Sequence, residues 1–171
     1  MLLIRDYQED IDAPAVGRLI ADTFSEFNLT FAPTEEHDLF LGPFRFARSM
    51  ESQHQSEIAR LIWAEIVLVA VEDGEIVGVL RGETRGYGRL LALYVHGDHQ
   101  WHGIGRKLVE RFEQDCLWEG VRQVRLFSTL YAVPFYLKLG YKRSTGVRSG
   151  FSFDGRGLIY QPMKKELKRE S

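Results

Sequence analysis

The chain has 171 residues, of which 44% are hydrophobic and 27% are charged, and its formal net charge is −2. This length and composition predict one compact domain over residues 1–171 with a sizeable buried core. A net charge this close to zero gives no electrostatic argument for a nucleic-acid partner or for an anionic membrane surface.

The single cysteine, Cys116, excludes an internal disulfide and a zinc site anchored by cysteines. Residues 1–4 are apolar, but Arg5 follows at once, so the run is too short for the core of a signal sequence. No apolar run reaches the length of a transmembrane helix. We therefore expect a cytoplasmic protein.

The first sixty residues predict one strand followed by helices. Residues 2–5 form the strand, and Asp12-Ala13-Pro14 is typical of a helix start. Apolar residues then follow helical spacing as far as Phe27. Further helical pieces are predicted over 34–36 and 49–62, on either side of a turn at 41–44.

From residue 66 onward the pattern predicts strands. Residues 66–71 and 76–80 flank Asp73-Gly74, a strong signal for a hairpin turn. A flexible connection over 82–88 leads to the strand 89–95. Later strands are predicted over 121–127, 141–147 and 157–163, and Pro162 favours an edge or a strand end.

The most informative segment joins the strand 89–95 to the next helix. It reads Gln100-Trp101-His102-Gly103-Ile104-Gly105-Arg106-Lys107. Free N–H groups at a helix start, at the positive end of the helix dipole, bind phosphate or pyrophosphate. Because Gly103 and Gly105 lack Cβ atoms, an anion can approach the main chain closely.

The helix after this loop is amphipathic. Ile104, Leu108, Phe112 and Cys116 follow one another at intervals of four residues. This spacing places Cys116 on the apolar face, so we expect a core cysteine and not a reactive one.

Two separated motifs resemble those of the GCN5-related N-acetyltransferases. The first is the Q-x-x-G-x-G pattern of residues 100–105 after a strand. The second is the segment 128–141, which ends Phe135-Tyr136-Leu137-Lys138-Leu139-Gly140-Tyr141, similar to the family's F-Y-x-x-L-G-[FY]. The resemblance implies an α/β (α+β) fold with a mixed central sheet of about seven strands flanked by helices, and acyl-CoA bound at a splayed strand pair.

The resemblance also implies an activity. The chain would be an N-acetyltransferase that moves an acetyl group from acetyl-CoA to a primary amine of a small molecule or peptide, by direct attack in a ternary complex. Acetyl-CoA would be the cosubstrate, with no metal, and the amine acceptor the other partner. Neither nucleic acid nor a membrane is expected as a partner, and a homodimer stays open.

Two alternatives remain open at this point. The first is a non-catalytic acyl-CoA-binding or sensor module of the same fold. The second is a nucleotide-binding protein that uses the glycine loop alone. The second ranks last because the chain lacks the Gly-Lys-Ser/Thr run of a phosphate loop and the three-glycine dinucleotide pattern.

The resemblance assigns residues to the cofactor. Main-chain groups of Leu93, Tyr94 and Val95 would pair with the pantetheine arm. Thr129 falls where many family members carry an asparagine that contacts the cofactor, and Phe135 and Tyr136 would flank the thiol. The pyrophosphate would be held by Gln100, Trp101, His102, Gly103, Ile104, Gly105 and Arg106.

Tyr136 also fits the role of general acid, because a phenol is protonated at neutral pH and can donate to the leaving thiolate. A core tyrosine on a short helix is the alternative. The general base is less clear, since the strand 89–95 carries no carboxylate. Glu83 is the nearest acidic residue upstream and is the predicted base. His96 and His99 past the strand end, or a water chain, are alternatives.

Two further predictions concern a metal site at the histidines and the pocket for the amine acceptor. A metal site at His96, His99 and His102 is disfavoured, because no carboxylate or cysteine is spaced with them. An apolar acceptor pocket is expected between the first helices and the later strands. Some of the phenylalanines there would line it, although core packing explains most of them: Phe24, Phe27, Phe31, Phe40, Phe44 and Phe46.

Overall fold

The computed structural model describes residues 1–169. Its helices are α1 Glu9–Thr23, α2 His37–Leu41, α3 Ser52–Ile62, α4 Ile104–Trp118 and α5 Val133–Lys138. Its strands are β1 Leu2–Asp6, β2 Ile66–Glu72, β3 Glu75–Glu83, β4 Gly88–Val95, β5 Gln123–Thr129, β6 Lys142–Arg143, β7 Arg148–Ser152 and β8 Gly155–Glu166. None of the helices in this part of the chain is long and apolar enough to cross a membrane.

The strands form one mixed sheet in the order β1-β2-β3-β4-β5-β8-β6, with β7 also paired to β8. The pair β4–β5 is parallel, and the others are antiparallel. This confirms the predicted fold class. The sheet has eight strands instead of about seven, because residues 141–163 form parts of three strands where two are predicted.

Helices cover both faces of the sheet. Strand side chains alternate between the faces, so Leu68 of β2 joins the core under α4 while Val69 joins the core under α1 and α3. Cys116 lies in the α4 core and is fully buried. Burial raises the pKa of its thiol to about 12, so the prediction of a core cysteine is confirmed.

The helix boundaries follow from their caps. Helix α1 begins at Glu9, three residues before the predicted start at Asp12. The reason is that the Asp12 carboxylate turns back to accept the N–H of Gln8 at 2.8 Å. Acidic side chains in the first turn also complement the positive end of the helix dipole.

The strand predicted over 121–127 begins two residues late, because Val121 belongs to the cap of α4. Gly120 adopts a left-handed φ of 76°. The N–H of Val121 then donates to Cys116 O, and that of Gly120 donates to Leu117 O. This is the Schellman arrangement, which satisfies the last carbonyls of a helix. Strand β5 therefore starts only at Gln123.

The prediction that Pro162 lies at an edge or a strand end is wrong. Pro162 lies inside β8, opposite Phe127 of β5. Its carbonyl accepts the N–H of Ser144 from the other side at 3.1 Å. The N and O atoms of one residue in an antiparallel ladder point the same way. The nitrogen of Pro162 therefore points away from β5, toward the space between β6 and β7. The lack of an N–H at Pro162 thus costs no hydrogen bond between β8 and β5.

The ion pair between Arg5 and Asp12 gives a test of stability. Arg5 donates two hydrogen bonds, at 2.7 and 2.9 Å, to a carboxylate that is only 2% exposed. We expect Asp12→Ala to lower the free energy of unfolding by about 2–3 kcal/mol, because charged donors lose their acceptor. Asp22→Ala, at the exposed pair with Arg48, is the control and should cost less than about 1 kcal/mol.

The effect of Asp12→Ala should depend on pH. The hydrogen bonds from Arg5 hold the pKa of Asp12 below its usual value. The stability from this pair is therefore complete above the unfolded carboxyl pKa of about 3.9, and it is lost as the pH falls through the lower folded pKa. Urea unfolding at pH 7 and at successively lower pH measures both effects. If the free energies of unfolding of Asp12→Ala and the parent still differ by the same amount in strong acid, the ion pair with Arg5 is not the source of the stability.

Candidate functional site

A β-bulge in β4 opens the sheet. Between the pairs Gly82–Leu90 and Arg81–Ala92, β4 holds one extra residue, Leu91. A bulge bends its strand and disrupts the ladder. Beyond it, β4 stays paired with β3 to its last residue, whereas its pairing with β5 covers only its first three residues. The two parallel strands therefore diverge toward their carboxyl ends.

The main chain of β4 beyond the bulge is not paired with β5. The N–H of His96 donates to Val77 O of β3 at 2.8 Å. Hydrogen-bonded and non-bonded pairs alternate along an antiparallel ladder, so Tyr94 bonds to β3, while Leu93 and Val95 point their N–H and C=O groups into the gap. Such groups can bond an extended ligand as another strand would.

A side chain from the following loop spans the mouth of the gap. Gln100 donates from Nε2 to Val95 O at 3.0 Å. Its Oε1 accepts the hydroxyl of Tyr131 at 2.8 Å, from the connection between β5 and α5. The Tyr131 ring stacks on Phe27 with centroids 5.2 Å apart. The diverging strands are thus linked at their open end by one hydrogen-bonded bridge.

The two glycines of the loop have different structural roles. Gly103 precedes α4 with a φ of +80°, and a Cβ there would meet open space. A Cβ on Gly105 would lie 3.1 Å from the Phe135 ring of α5. The space at Gly105 is therefore taken by Phe135, contrary to the expectation that both glycines leave room for an anion. Only Gly103 has that room.

The start of α4 offers free donors. The N–H of Lys107 donates to Gly103 O at 3.0 Å, which is the first bond of the helix. The N–H groups of the residues between them have no partner within an α-helix. They lie at the positive end of a helix of 15 residues, which is the arrangement that binds phosphate.

These elements surround a cleft of about 430 Å³ that reaches both faces of the sheet. Most of the residues predicted to bind the cofactor line this cleft: Leu93, Tyr94, Val95, Gln100, Trp101, Gly103, Ile104, Gly105, Arg106, Thr129, Phe135 and Tyr136. His102 belongs to the same loop but does not line the cleft. A broader concavity of about 1140 Å³ lies outside it, and Arg106 and Lys138 line both.

The structure does not bring Glu83 to the cleft, contrary to its predicted role as base. Glu83 ends β3 opposite Arg89, whose guanidinium binds its carboxylate at 3.0 Å. Because β3 and β4 are antiparallel, the end of β3 lies beside the start of β4. The cleft opens at the other end of β4, near Val95.

The histidines of the loop are held by neighbouring acidic groups and main chain. His99 lines the cleft, and its Nδ1 lies 2.9 Å from a carboxylate oxygen of Glu72. His96 accepts the N–H of Asp98. Among residues 1–169, no group of three or more metal-ligating side chains lies together.

Tyr136 of α5 lines the cleft and is packed against two neighbouring aromatic rings. Its side chain is 5% exposed, and its ring meets those of Phe135 and Tyr141 with centroids 5.0 and 5.6 Å apart. Gly140, with a φ of +94°, caps α5 so that Tyr141 packs back on the last turn. Burial, and then the nearby Tyr94, raises the pKa of the Tyr136 phenol, so the phenol is protonated at neutral pH.

The wall of the cleft on the α1 side is aromatic. Of the six phenylalanines considered, Phe24 and Phe27 line it. The others lie elsewhere: Phe40 and Phe44 are buried in the core, Phe31 is exposed, and Phe46 stacks on His54. The cleft is also lined by residues that the sequence did not indicate, among them Asn28, Phe127, Tyr131 and Lys138. Tyr131 and Lys138 lie inside the second motif, residues 128–141, so the motif itself could have indicated that they line the cleft.

Comparisons with known proteins agree with this geometry. A family model described as "Acetyltransferase (GNAT) domain" matches residues 45–167. A GCN5-related N-acetyltransferase structure from Rhodopseudomonas palustris superposes with a TM-score of 0.74 at 20% identity, over 96% of this chain and 95% of that chain. No curated protein sequence matches the chain.

Two further solved structures share the fold. PaiA N-acetyltransferase from Thermoplasma acidophilum, in complex with coenzyme A, has a TM-score of 0.72 at 19% identity, over 97% of this chain and 99% of that chain. The ribosomal-protein-S18-alanine N-acetyltransferase from Escherichia coli has a TM-score of 0.63 at 18% identity, over 100% and 97%. At such identities the likeness is one of fold.

Proposed function

The chain belongs to the GCN5-related N-acetyltransferase (GNAT) family, and from that premise we propose that this acyltransferase moves the acetyl group of acetyl-CoA to a primary amine. The transfer is direct, in a ternary complex of enzyme, acetyl-CoA and amine. The observation that carries the proposal is the cleft between β4 and β5, with free main-chain groups on one wall and Tyr136 on the other.

The pantetheine arm of acetyl-CoA fits the gap beside β4. Leu93 offers the N–H and C=O groups that its amides need, in the manner of an added strand, whereas the carbonyl of Val95 is bonded to Gln100. The N–H of Val95 is also placed to stabilise the negative oxygen that forms on the thioester carbonyl. Thr129 of β5 and Phe135 of α5 line the cleft on the side of the arm that faces away from β4.

The phosphates fit the start of α4. The free N–H groups after Gly103 and the helix dipole favour a pyrophosphate there. Arg106 and Lys138 line both the cleft and the concavity outside it, so they stand where the phosphates leave the cleft. The coenzyme A complex of the PaiA structure supports this assignment by its shared fold.

The chemical step needs few protein groups. The neutral amine attacks the thioester carbon, so that a C–N bond forms and the C–S bond breaks. The thiolate takes the proton of Tyr136, whose pKa is raised by burial. The nitrogen loses its proton through water to the solvent, which also returns a proton to Tyr136. No aspartate or glutamate is among the described residues that line the cleft, and Nδ1 of the lining His99 is held by Glu72, so the proposed step uses solvent and no side-chain base.

Cofactor binding by the loop can be tested with Gly103→Glu. The added side chain brings bulk and negative charge to the anion site, so binding of acetyl-CoA should fall by at least about a hundredfold. Gly86→Glu is the matched control, because Gly86 also has a left-handed φ, of +77°, and open space, but lies outside the cleft. Calorimetric titration measures both, with circular dichroism to confirm folding. Equal affinity in the two folded variants would refute the assignment.

The role of Tyr136 can be tested with Tyr136→Phe, which removes the proton donor and keeps the ring. We expect kcat to fall about a hundredfold, the usual scale for a positioned general acid, with little change in the dissociation constant of acetyl-CoA. Tyr141→Phe is the control. It loses a buried hydrogen bond to Glu113, so it should lower stability and leave kcat near the parent value.

Two other outcomes for Tyr136→Phe, and one for the parent protein, are informative. Turnover at the parent rate would place the acid elsewhere or in the solvent. Loss of acetyl-CoA binding would make Tyr136 a packing residue. A parent protein that binds acetyl-CoA and acetylates no amine would be the non-catalytic module of the same fold.

A further inference from the structure

The acceptor side of the cleft is built from aromatic rings. Phe24 meets Tyr94 edge to face, with centroids 6.3 Å apart. Phe27 stacks on Tyr131, and Phe127 of β5 completes the wall with a ring that is 61% exposed. A wall of aromatic rings favours a flat apolar body packed against it, through burial and stacking.

The same wall contains one amide whose oxygen is unsatisfied. Helix α1 continues as a π-helical segment, Phe24–Asn28, a form that is frequent at functional sites. Asn28 ends this segment and lines the cleft. Its Oδ1 is buried and meets no hydrogen-bond donor among the described residues. A buried oxygen without a donor is costly, and an N–H group bound beside Asn28 would supply the partner that this oxygen lacks.

No carboxylate faces the acceptor. No aspartate or glutamate is among the described residues that line the cleft, and the cations Arg106 and Lys138 lie at the end that we assign to the phosphates. Several ammonium groups would lose their hydration here without an opposite charge, which is strongly unfavourable. One amine, in contrast, can shed its proton, because desolvation lowers the pKa of an ammonium group.

We propose that the acceptor is a monoamine on a flat apolar body, and that Asn28 selects it by accepting the N–H of the amine. This inference rests on the proposed acetyl transfer and names its substrate class. The aromatic wall takes the body of the acceptor, and Asn28 takes the nitrogen that attacks the thioester. The same lining disfavours polyamines and aminoglycosides.

The first experiment compares acceptors on the unmodified protein. With acetyl-CoA and 2-phenylethylamine, spermidine or kanamycin, release of the free thiol gives kcat/KM for each amine. We expect 2-phenylethylamine to exceed both polycations by at least about tenfold, because each further ammonium group would lose hydration without meeting a carboxylate. A polycation that equals or exceeds 2-phenylethylamine would overturn the inference.

The second experiment changes Asn28. Asn28→Leu removes the acceptor oxygen and should lower kcat/KM for 2-phenylethylamine about tenfold or more, mainly through KM, while acetyl-CoA binding is unchanged. Asn28→Asp keeps the shape and adds a charge, so it should raise kcat/KM for spermidine relative to 2-phenylethylamine. A purely structural role cannot shift this ratio, and an unchanged ratio in Asn28→Asp would overturn the assignment.

A matched control separates selection from stability. Gln55 also holds a buried oxygen without a donor, but it lies outside the cleft. Gln55→Leu should therefore alter unfolding and leave the preference among amines intact. An equal shift in preference for Gln55→Leu would refute a specific role of Asn28.

Failure of the transfer can be distinguished from failure of the inference. If no amine is acetylated, calorimetric titration of 2-phenylethylamine into the protein saturated with coenzyme A still tests the acceptor site. Binding that is weakened by Asn28→Leu would keep the inference while the proposed transfer fails. Absence of binding to the parent protein would overturn the inference itself.

Discussion

The extra residue in β4, Leu91, is the constraint on which the site depends. Without the bulge, β4 and β5 would continue as a closed parallel pair, and the main chain of Leu93 and Val95 would be bonded to β5. With it, β4 bends away from β5 and keeps its hydrogen bonds to β3, so only the pair β4–β5 loses hydrogen bonds. The free groups, the loop after β4 and the start of α4 then face one cleft, and an acyl carrier rich in amides and phosphates fits all three.

The opposite wall is held by packing that fixes Tyr136. Phe135 fits against Gly105 of α4, and the cap at Gly140 folds Tyr141 beneath α5. The hydroxyl of Tyr141 donates to Glu113 at 2.9 Å, and Lys165 of β8 binds the same carboxylate at 3.0 Å. These hydrogen bonds stabilise the junction of α4, α5 and β8, whereas the phenol of Tyr136 is positioned by the rings of Phe135 and Tyr141 that pack against it.

The sequence predicts the parts of this site that have local signatures. The Q-x-x-G-x-G loop and the Gly140 cap depend on glycine and on helix starts and ends, which are visible in single segments. The bulge at Leu91 has no such signature, because it depends on the register between two strands. Strand register also decides the place of Glu83. It is near β4 in sequence, but it pairs with Arg89 at the start of β4, whereas the cleft lies at the other end of that strand. The π-helical ending of α1, which brings Asn28 to the cleft, likewise follows from tertiary packing.

The central claim is that acetyl-CoA adds to the free edge of β4. Amide hydrogen exchange, resolved by NMR at single residues, tests it most directly. The account predicts that acetyl-CoA slows exchange at the N–H groups of Leu93 and Val95, which face the gap, and leaves Tyr94, already bonded to β3, unchanged. Equal protection of all three, or exchange at Leu93 and Val95 that acetyl-CoA does not alter although it binds, would contradict the account.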